Sequence, residues 1–357
     1  MSDDLPSTTR IPSTPPQRRG GPDRLAVVAF ILAALLIALI AAVLISRPTS
    51  TGSDPSATPS QTAGPTGTPA GSSAPPPSDP SVEPTATSTP SAETAAVLAG
   101  AGDIGDCSTE EDTLTGQVLA SIDGTIFTVG DNAYENGSPA EYENCYDTVW
   151  GSFKDRTRPV PGNHDWRSDD LDGYFGYFGN AAKGPDGHAW YSFDVGSWHV
   201  IMLDSECDKF DGCGADSTQG RWLTADLAAS DASCTVAMWH KPRFSSGDHG
   251  NDRSVAPFWT QLYDAGVDVI VNGHDHDYER FAPQDPSGKE DRERGMREFI
   301  VGTGGTQLRP FRDTKANSEL RLLTHGVFKL TLRDGSYDWE FIPVAGDVTD
   351  TGTAFCH

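Results

Sequence analysis

Asn272-Gly273-His274-Asp275-His276-Asp277-Tyr278-Glu279-Arg280 follows the apolar run Val267–Val271 and sets two imidazoles one residue apart. Within a strand, side chains two apart point the same way; where the strand ends and the chain turns, both rings can converge on one point. Imidazoles held in that way are suited to a transition metal. Further Asp/Asn/His clusters stand upstream at the ends of similar runs, so the chain reads as a two-metal enzyme.

Working outward, the runs Ala96–Ala101, Thr125–Val129, His199–Leu203, Thr235–Trp239 and Val267–Val271 have the length and apolar character of buried strands. Between them, Arg221–Ala229 and Val255–Ala265 have helical spacing. Gly326–Leu332 and Tyr337–Pro343, joined around Asp334-Gly335, predict a β-hairpin. Strands alternating with helices imply an α/β domain built on mixed sheets. Asp103, Asp131, Asn163, His240 and His274 each come just after an apolar or Pro/Val-rich run. The crevice of an open α/β sheet lies outside the carboxyl ends of its strands, so these residues are expected on one rim.

In chain order the clusters are Gly102-Asp103-Ile-Gly-Asp106, Gly130-Asp131-Asn132-Ala-Tyr134, Gly162-Asn163-His164-Asp165, Trp239-His240 and Gly273-His274-Asp-His276. Together they resemble the calcineurin-like metallophosphoesterase superfamily, and Tyr134, three residues after Asp131, narrows the resemblance to its purple acid phosphatase branch. The likeness covers residues 96–357 and implies a β-sandwich of two mixed sheets flanked by helices. It implies one metal held by Asp103, Asp131, Tyr134 and His276, and a second held by Asp131, Asn163, His240 and His274, with Asp131 bridging. A phenolate with carboxylates favours Fe(III), while two imidazoles and an amide oxygen suit Fe(II), Zn(II) or Mn(II).

The resemblance also implies roles for residues beside the metals. His164 would protonate the leaving-group oxygen, held by a carboxylate such as Asp106 or Asp165. His249, nine residues after His240, would contact the substrate phosphate, and Asn132 would hydrogen-bond phosphate or metal-bound water. Other residues read as structural: His199 as a packed strand histidine, Tyr174, Phe175, Tyr177 and Phe178 as packing aromatics, and Glu279 with Arg280 as a loop-fixing ion pair. His188, His325 and His357 have no partner cluster. The fibronectin-like domain that the large plant enzymes carry before the catalytic domain has no counterpart that can be read here.

Residues 25–45 form an uncharged apolar run of 21 residues, long enough for a bilayer core of about 30 Å. Arg10, Arg18, Arg19 and Arg24 precede it, while Arg47 is the only basic residue between it and Lys154. The positive-inside rule puts 1–24 in the cytoplasm, makes 25–45 a transmembrane helix and sends the remainder outside. A cleaved signal peptide is the alternative, but no clear small-x-small site precedes Arg47. Residues 46–94, almost wholly Pro, Ser, Thr, Ala and Gly, have too little apolar surface to fold and are expected to be a tether of roughly 40 Å. Residues 95–357 would then be the metallophosphoesterase domain.

All six cysteines lie in that exported part, which favours disulfides over thiolate ligands. Cys207 and Cys213 flank a tight segment and are the favoured pair; Cys107–Cys145 with Cys234–Cys356 completes the least awkward of the 15 possible sets. A net charge of -25 without a basic face excludes a nucleic-acid binder.

The expected function is a membrane-anchored extracytoplasmic phosphoesterase hydrolysing small phosphate monoesters by a metal-bound hydroxide at a binuclear centre. A phosphodiesterase for nucleotides or lipid headgroups would need the same residues. A catalytically inactive surface binding protein is expected to lack at least one ligand, and a calcium-stabilised adhesin to carry carboxylate-only clusters.

Overall fold

The computed structural model describes residues 95–357; the expected cytoplasmic tail, transmembrane helix 25–45 and linker 46–94 lie outside the described residues. Among the described residues, no helix is long and apolar enough to cross a membrane.

Two mixed sheets face each other. The first has strand order β13-β12-β11-β1-β2-β3, with β1 Ala96–Ala101, β2 Thr125–Val129, β3 Thr157–Val160, β11 Gly326–Arg333, β12 Ser336–Pro343 and β13 Asp350–Phe355. The second has order β10-β8-β9-β7-β6-β5-β4, from β4 Tyr191–Val195, β5 Trp198–Met202, β6 Cys234–Met238, β7 Val269–Asn272, β8 Tyr278–Phe281, β9 Arg297–Val301 and β10 Ser318–Leu322. Strands β1, β2 and β3 run parallel, as do β5, β6, β7 and β9. Their carboxyl ends deliver the clusters read from the sequence.

The apolar runs are continuous because both faces of each central strand are buried. Phe127, Val129, Val200, Met202, Val236, Met238, Val269 and Val271 fill the space between the sheets. Their neighbours Ala99, Ala101 and Ile126 face outward beneath α1 (Glu111–Leu119), the helical run 139–150 and α2 (Asp172–Phe178). Ile201, Ala237 and Ile270 likewise face α3 (Thr218–Ala229) and α4 (Ala256–Asp264). The period-2 alternation of the strands therefore produces a helix–sheet–sheet–helix stack, the sandwich expected. The aromatics of α2 are packing residues: Tyr174 and Phe178 are buried, and Tyr142 stacks on Tyr177 at 5.3 Å.

Three disulfides tie the domain, Cys107–Cys145, Cys207–Cys213 and Cys234–Cys356, with Cα–Cα separations of 4.9, 5.2 and 5.6 Å. The last joins the start of β6 to the segment beyond β13, across 122 residues of sequence. Glu279 and Arg280 correct the sequence reading. Successive strand residues point to opposite faces, so Glu279 accepts from Ser246 while Arg280 pairs with Asp350 and Glu319. His199 is buried on β5, held between Asp194 and Asp226 at 2.9 Å each.

Candidate metal centre

Every proposed ligand sits just past the carboxyl end of a parallel strand: Asp103 after β1, Asp131 and Tyr134 after β2, Asn163 after β3, His240 after β6, and His274 and His276 after β7. The chain must turn sharply there, and three of these residues do so at positive φ: Asp103 at 60°, Asp131 at 48° and His274 at 71°. Such conformations cost about 1–3 kcal/mol each and persist where the surroundings enforce them, as at functional sites. Gly130, at φ 86°, belongs to the same turn, and a Cβ on it would lie 2.6 Å from His240 Nδ1. At Gly162 a Cβ would lie 2.3 Å from Asp131 Oδ1. Gly130 lets the end of β2 meet His240 from the opposite sheet, and Gly162 lets the neighbouring ends of β2 and β3 close on one another.

Tyr134 Oη lies 2.9 Å from Asp103 Oδ1, 3.1 Å from Asp131 Oδ2 and 3.4 Å from His276 Nε2, and His276 Nε2 is 3.3 Å from Asp103 Oδ1. A phenol has one proton to offer, so it cannot satisfy three acceptors. A cation among them would. Beside this group, Asp131 Oδ2 is 3.3 Å from His240 Nε2, and His240 Nε2 is 3.2 Å from His274 Nδ1. Ligand atoms of Asp131, His240 and His274 all fall within 4.8 Å of one another. Asn163 Oδ1 is buried with no hydrogen-bond partner, as a carbonyl reserved for a cation would be.

The backbone fixes which nitrogen each imidazole presents. His240 Nδ1 lies 2.8 Å from the Val129 carbonyl, and His276 Nδ1 lies 2.8 Å from the Gln307 carbonyl. A carbonyl only accepts, so each Nδ1 carries the hydrogen and each Nε2 turns to the centre. The charge balance points the same way. Burial and then the Asp103 and Asp131 carboxylates push the Tyr134 phenol well above its ordinary range. Burial disfavours charge on His240, but Asp131, Asp103 and Glu206 outweigh it and raise that imidazole to about 10. Burial and the neighbouring His240 and His249 drive His274 well below its usual value. Tyr134 and His240 thus keep their protons beside the carboxylates, while His274 is held neutral. The donor set therefore fits two cations.

The residues beside the centre are held by partners other than those suggested by the sequence. His164 is positioned by its backbone N–H, which donates to Asp131 Oδ1 at 2.7 Å, and its Nδ1 lies 2.7 Å from the carbonyl oxygen of Glu135. Neither Asp106 nor Asp165 holds it: Asp106 accepts from Ser108 and Thr306, while Asp165 accepts from Tyr142, Asn132 and the Gly162 N–H. Asn132 is fully buried, and its amide donates to the Val160 carbonyl and Asp165. It braces the loop that carries Asp131, and its Oδ1 is buried with no hydrogen-bond partner. His249 stacks on His274 at 4.1 Å, with its Nδ1 3.1 Å from Asp275 and its Nε2 3.0 Å from Arg309 Nη1.

Three groups escaped the sequence reading. Arg167 Nη2 is 3.2 Å from His164 Nε2 and is itself held by Glu135; Arg309 reaches His249. The segment 302–312 after β9 crosses the ligand loops, with the Thr306 N–H on the Asp103 carbonyl and the Arg309 N–H on the His276 carbonyl. Its available signal was Gly302-Thr-Gly-Gly305 directly after the apolar Phe299–Val301.

A family model for calcineurin-like phosphoesterases matches residues 98–278, which carry all seven ligands. The chain belongs to the calcineurin-like phosphoesterase family. Within this family it falls in the purple acid phosphatase-like branch. It is 33% identical over 133 residues to purple acid phosphatase 18 of Arabidopsis thaliana, covering 35% of this chain and 29% of that protein. It is 30% identical over 198 residues to acid phosphatase A of Cryphonectria parasitica, covering 46% and 38%. The chain thus spans well under half the length of these curated relatives. Purple acid phosphatase PPD1 from yellow lupin seeds has the same fold, with a TM-score of 0.60 at 21% identity, covering 73% of this chain and 54% of that one. Membership in this family implies a binuclear metal centre, and the converging side chains supply its donors.

Proposed function

We propose that this phosphoesterase-family chain is a membrane-anchored, extracytoplasmic hydrolase of small phosphate monoesters, with Fe(III) at Tyr134 and Fe(II), Zn(II) or Mn(II) beside it. The observation that carries this reading is the convergence of Asp103, Asp131, Tyr134 and His276 on one point, next to the Asp131–His240–His274 group. Asp103, Asp131, Tyr134 and His276 would hold the first ion; Asp131, Asn163, His240 and His274 would hold the second. When bound, such a pair supplies Lewis-acid activation of water and neutralises charge on the attacking and leaving oxygens.

The chain's own residues do the rest. Asp131 spans both positions, with Oδ2 facing His240 and Tyr134 while Oδ1 is pinned by the His164 N–H. His164 lines the groove above the centre, its ring 4.4 Å from that of Tyr134. The Glu135 carbonyl fixes Nδ1 as a donor, so Nε2 is the atom that moves a proton to the departing alcohol. Arg167 lies on Nε2 at 3.2 Å and is otherwise held by the exposed Glu135; it is itself half-exposed and must swing away to admit a leaving group. We predict that His164→Ala costs 4-nitrophenyl phosphate much less than it costs alkyl phosphates, whose alcohols leave poorly. Equal losses along a leaving-group series would exclude the proton-donor role.

A further inference from the structure

A groove of about 610 Å³ opens over the centre, lined among others by Tyr134, His164, His276 and Arg309. Arg309 is the only lysine or arginine among the described residues that line it. Its place is set by the ligand loop: the Arg309 N–H donates to the His276 carbonyl at 3.1 Å, and the Gln307 carbonyl holds His276 Nδ1 at 2.8 Å. His249, the residue expected to meet the phosphate, has its Nε2 3.0 Å from the Arg309 guanidinium and is not among the residues lining the groove. The buried Asp275 carboxylate takes the His249 Nδ1–H, and Nε2 faces a guanidinium, which can only donate. His249 in this arrangement has no N–H left for a phosphate oxygen.

We infer that Arg309 is the phosphate-binding residue of this site and that it makes the site selective for monoesters, with His249 and Asp275 positioning its guanidinium; this rests on the phosphoesterase reading above. A guanidinium offers five N–H groups in a planar fork suited to phosphate oxygens, and among the described residues only one of them, to His249, is engaged in a hydrogen bond. Asp248 stands 3.6 Å from Arg309, but its other oxygen is taken by Arg312 at 2.6 Å, so the fork is not filled by a carboxylate. A phosphate monoester carries three non-bridging oxygens and up to two negative charges, whereas a diester carries two such oxygens and one charge. A donor beside two cation positions therefore finds an additional oxygen only in a monoester.

The test compares metal-loaded full-length wild type with Arg309→Gln, Arg309→Lys, His249→Ala and Arg312→Gln. It uses 4-nitrophenyl phosphate, bis(4-nitrophenyl) phosphate and calorimetric titration with inorganic phosphate. Loss of a charge-assisted hydrogen bond in Arg309→Gln should weaken phosphate binding and raise the monoester KM by roughly 10- to 100-fold. The diester KM should move little, so the monoester-to-diester ratio of kcat/KM falls about tenfold or more. Arg309→Lys should fall between, His249→Ala should lose less than Arg309→Gln, and Arg312→Gln, which frees the Asp248 carboxylate to compete for the Arg309 guanidinium, should weaken phosphate binding less than Arg309→Gln does. Unchanged phosphate binding in Arg309→Gln, an unchanged ester ratio, or a larger loss in His249→Ala would overturn the assignment. A wild type that hydrolyses neither ester would instead overturn the phosphoesterase reading, and the phosphate titration would still test Arg309.

Discussion

Replacing Asn163 by leucine should make the metal-free chain more stable while removing one of its two cations. Asn163 Oδ1 is buried and has no hydrogen-bond partner. An unsatisfied buried acceptor costs about 1–3 kcal/mol, and an apolar side chain of similar shape relieves that cost. Leucine has the same branching as asparagine, and the neighbouring contact of the His164 N–H on Asp131 belongs to the backbone and survives. Taking the low end, a gain of about 1 kcal/mol corresponds to roughly 2–4 °C in Tm for a domain of this size. With metal present the sign reverses. A cation at a hundred times its Kd stabilises by about 2.7 kcal/mol, or roughly 5–10 °C, and the variant forgoes that increment at the second position. Calorimetric scans with and without chelator, paired with metal analysis, read both effects. A metal-free variant less stable than wild type by more than about 1 kcal/mol, or one that keeps two cations and the full metal-dependent shift, would refute the reasoning.

Two further outcomes test the framework around the site. The hydrogen bond that His199 donates to Asp226, joined by the one it donates to Asp194, outweighs burial and raises the His199 pKa above its ordinary value of 6.5. Its stabilising contribution is therefore complete below about 6.5 and fades as pH rises through the higher folded-state value. The stability deficit of His199→Gln should be widest near pH 5.5–6 (about the lower end of imidazole titration) and narrow above it; a deficit that grows with pH would exclude this linkage. The Cys234–Cys356 bridge closes 122 residues, so the double serine variant should lose about 2–5 kcal/mol and on the order of 10 °C in Tm. An unchanged Tm would mean that the β-sheet pairing alone holds the segment beyond β13.

The parts of the fold visible in sequence were those where burial on both strand faces left an unbroken apolar run. Strands β1 and β2 coincide with their runs, and β5, β6 and β7 shift by only one or two residues. Strands such as β8, Tyr-Glu-Arg-Phe, and β10, Ser-Glu-Leu-Arg-Leu, gave no such signal because their polar residues are satisfied by distant partners. Arg280 pairs with Asp350 across 70 residues and Glu279 with Ser246 across 33. The ligands were legible because each lies within a few residues of a recognisable strand end, and the family resemblance divided them between two ions. Arg167, Glu135 and Arg309 were not legible, since a surface arginine acquires its role only when folding brings it to a histidine. For Arg309 and His249 that approach spans 60 residues. His164 and Asn132 show the same limit: the turn that presents Asp131 decides which backbone groups they reach.

The central claim, that seven side chains hold a pair of cations, is tested most directly by counting metal ions per purified full-length chain by elemental analysis. Two ions per chain, at least one of them iron, is the result this account predicts. A stoichiometry of one or none in folded, metal-supplied protein would contradict it.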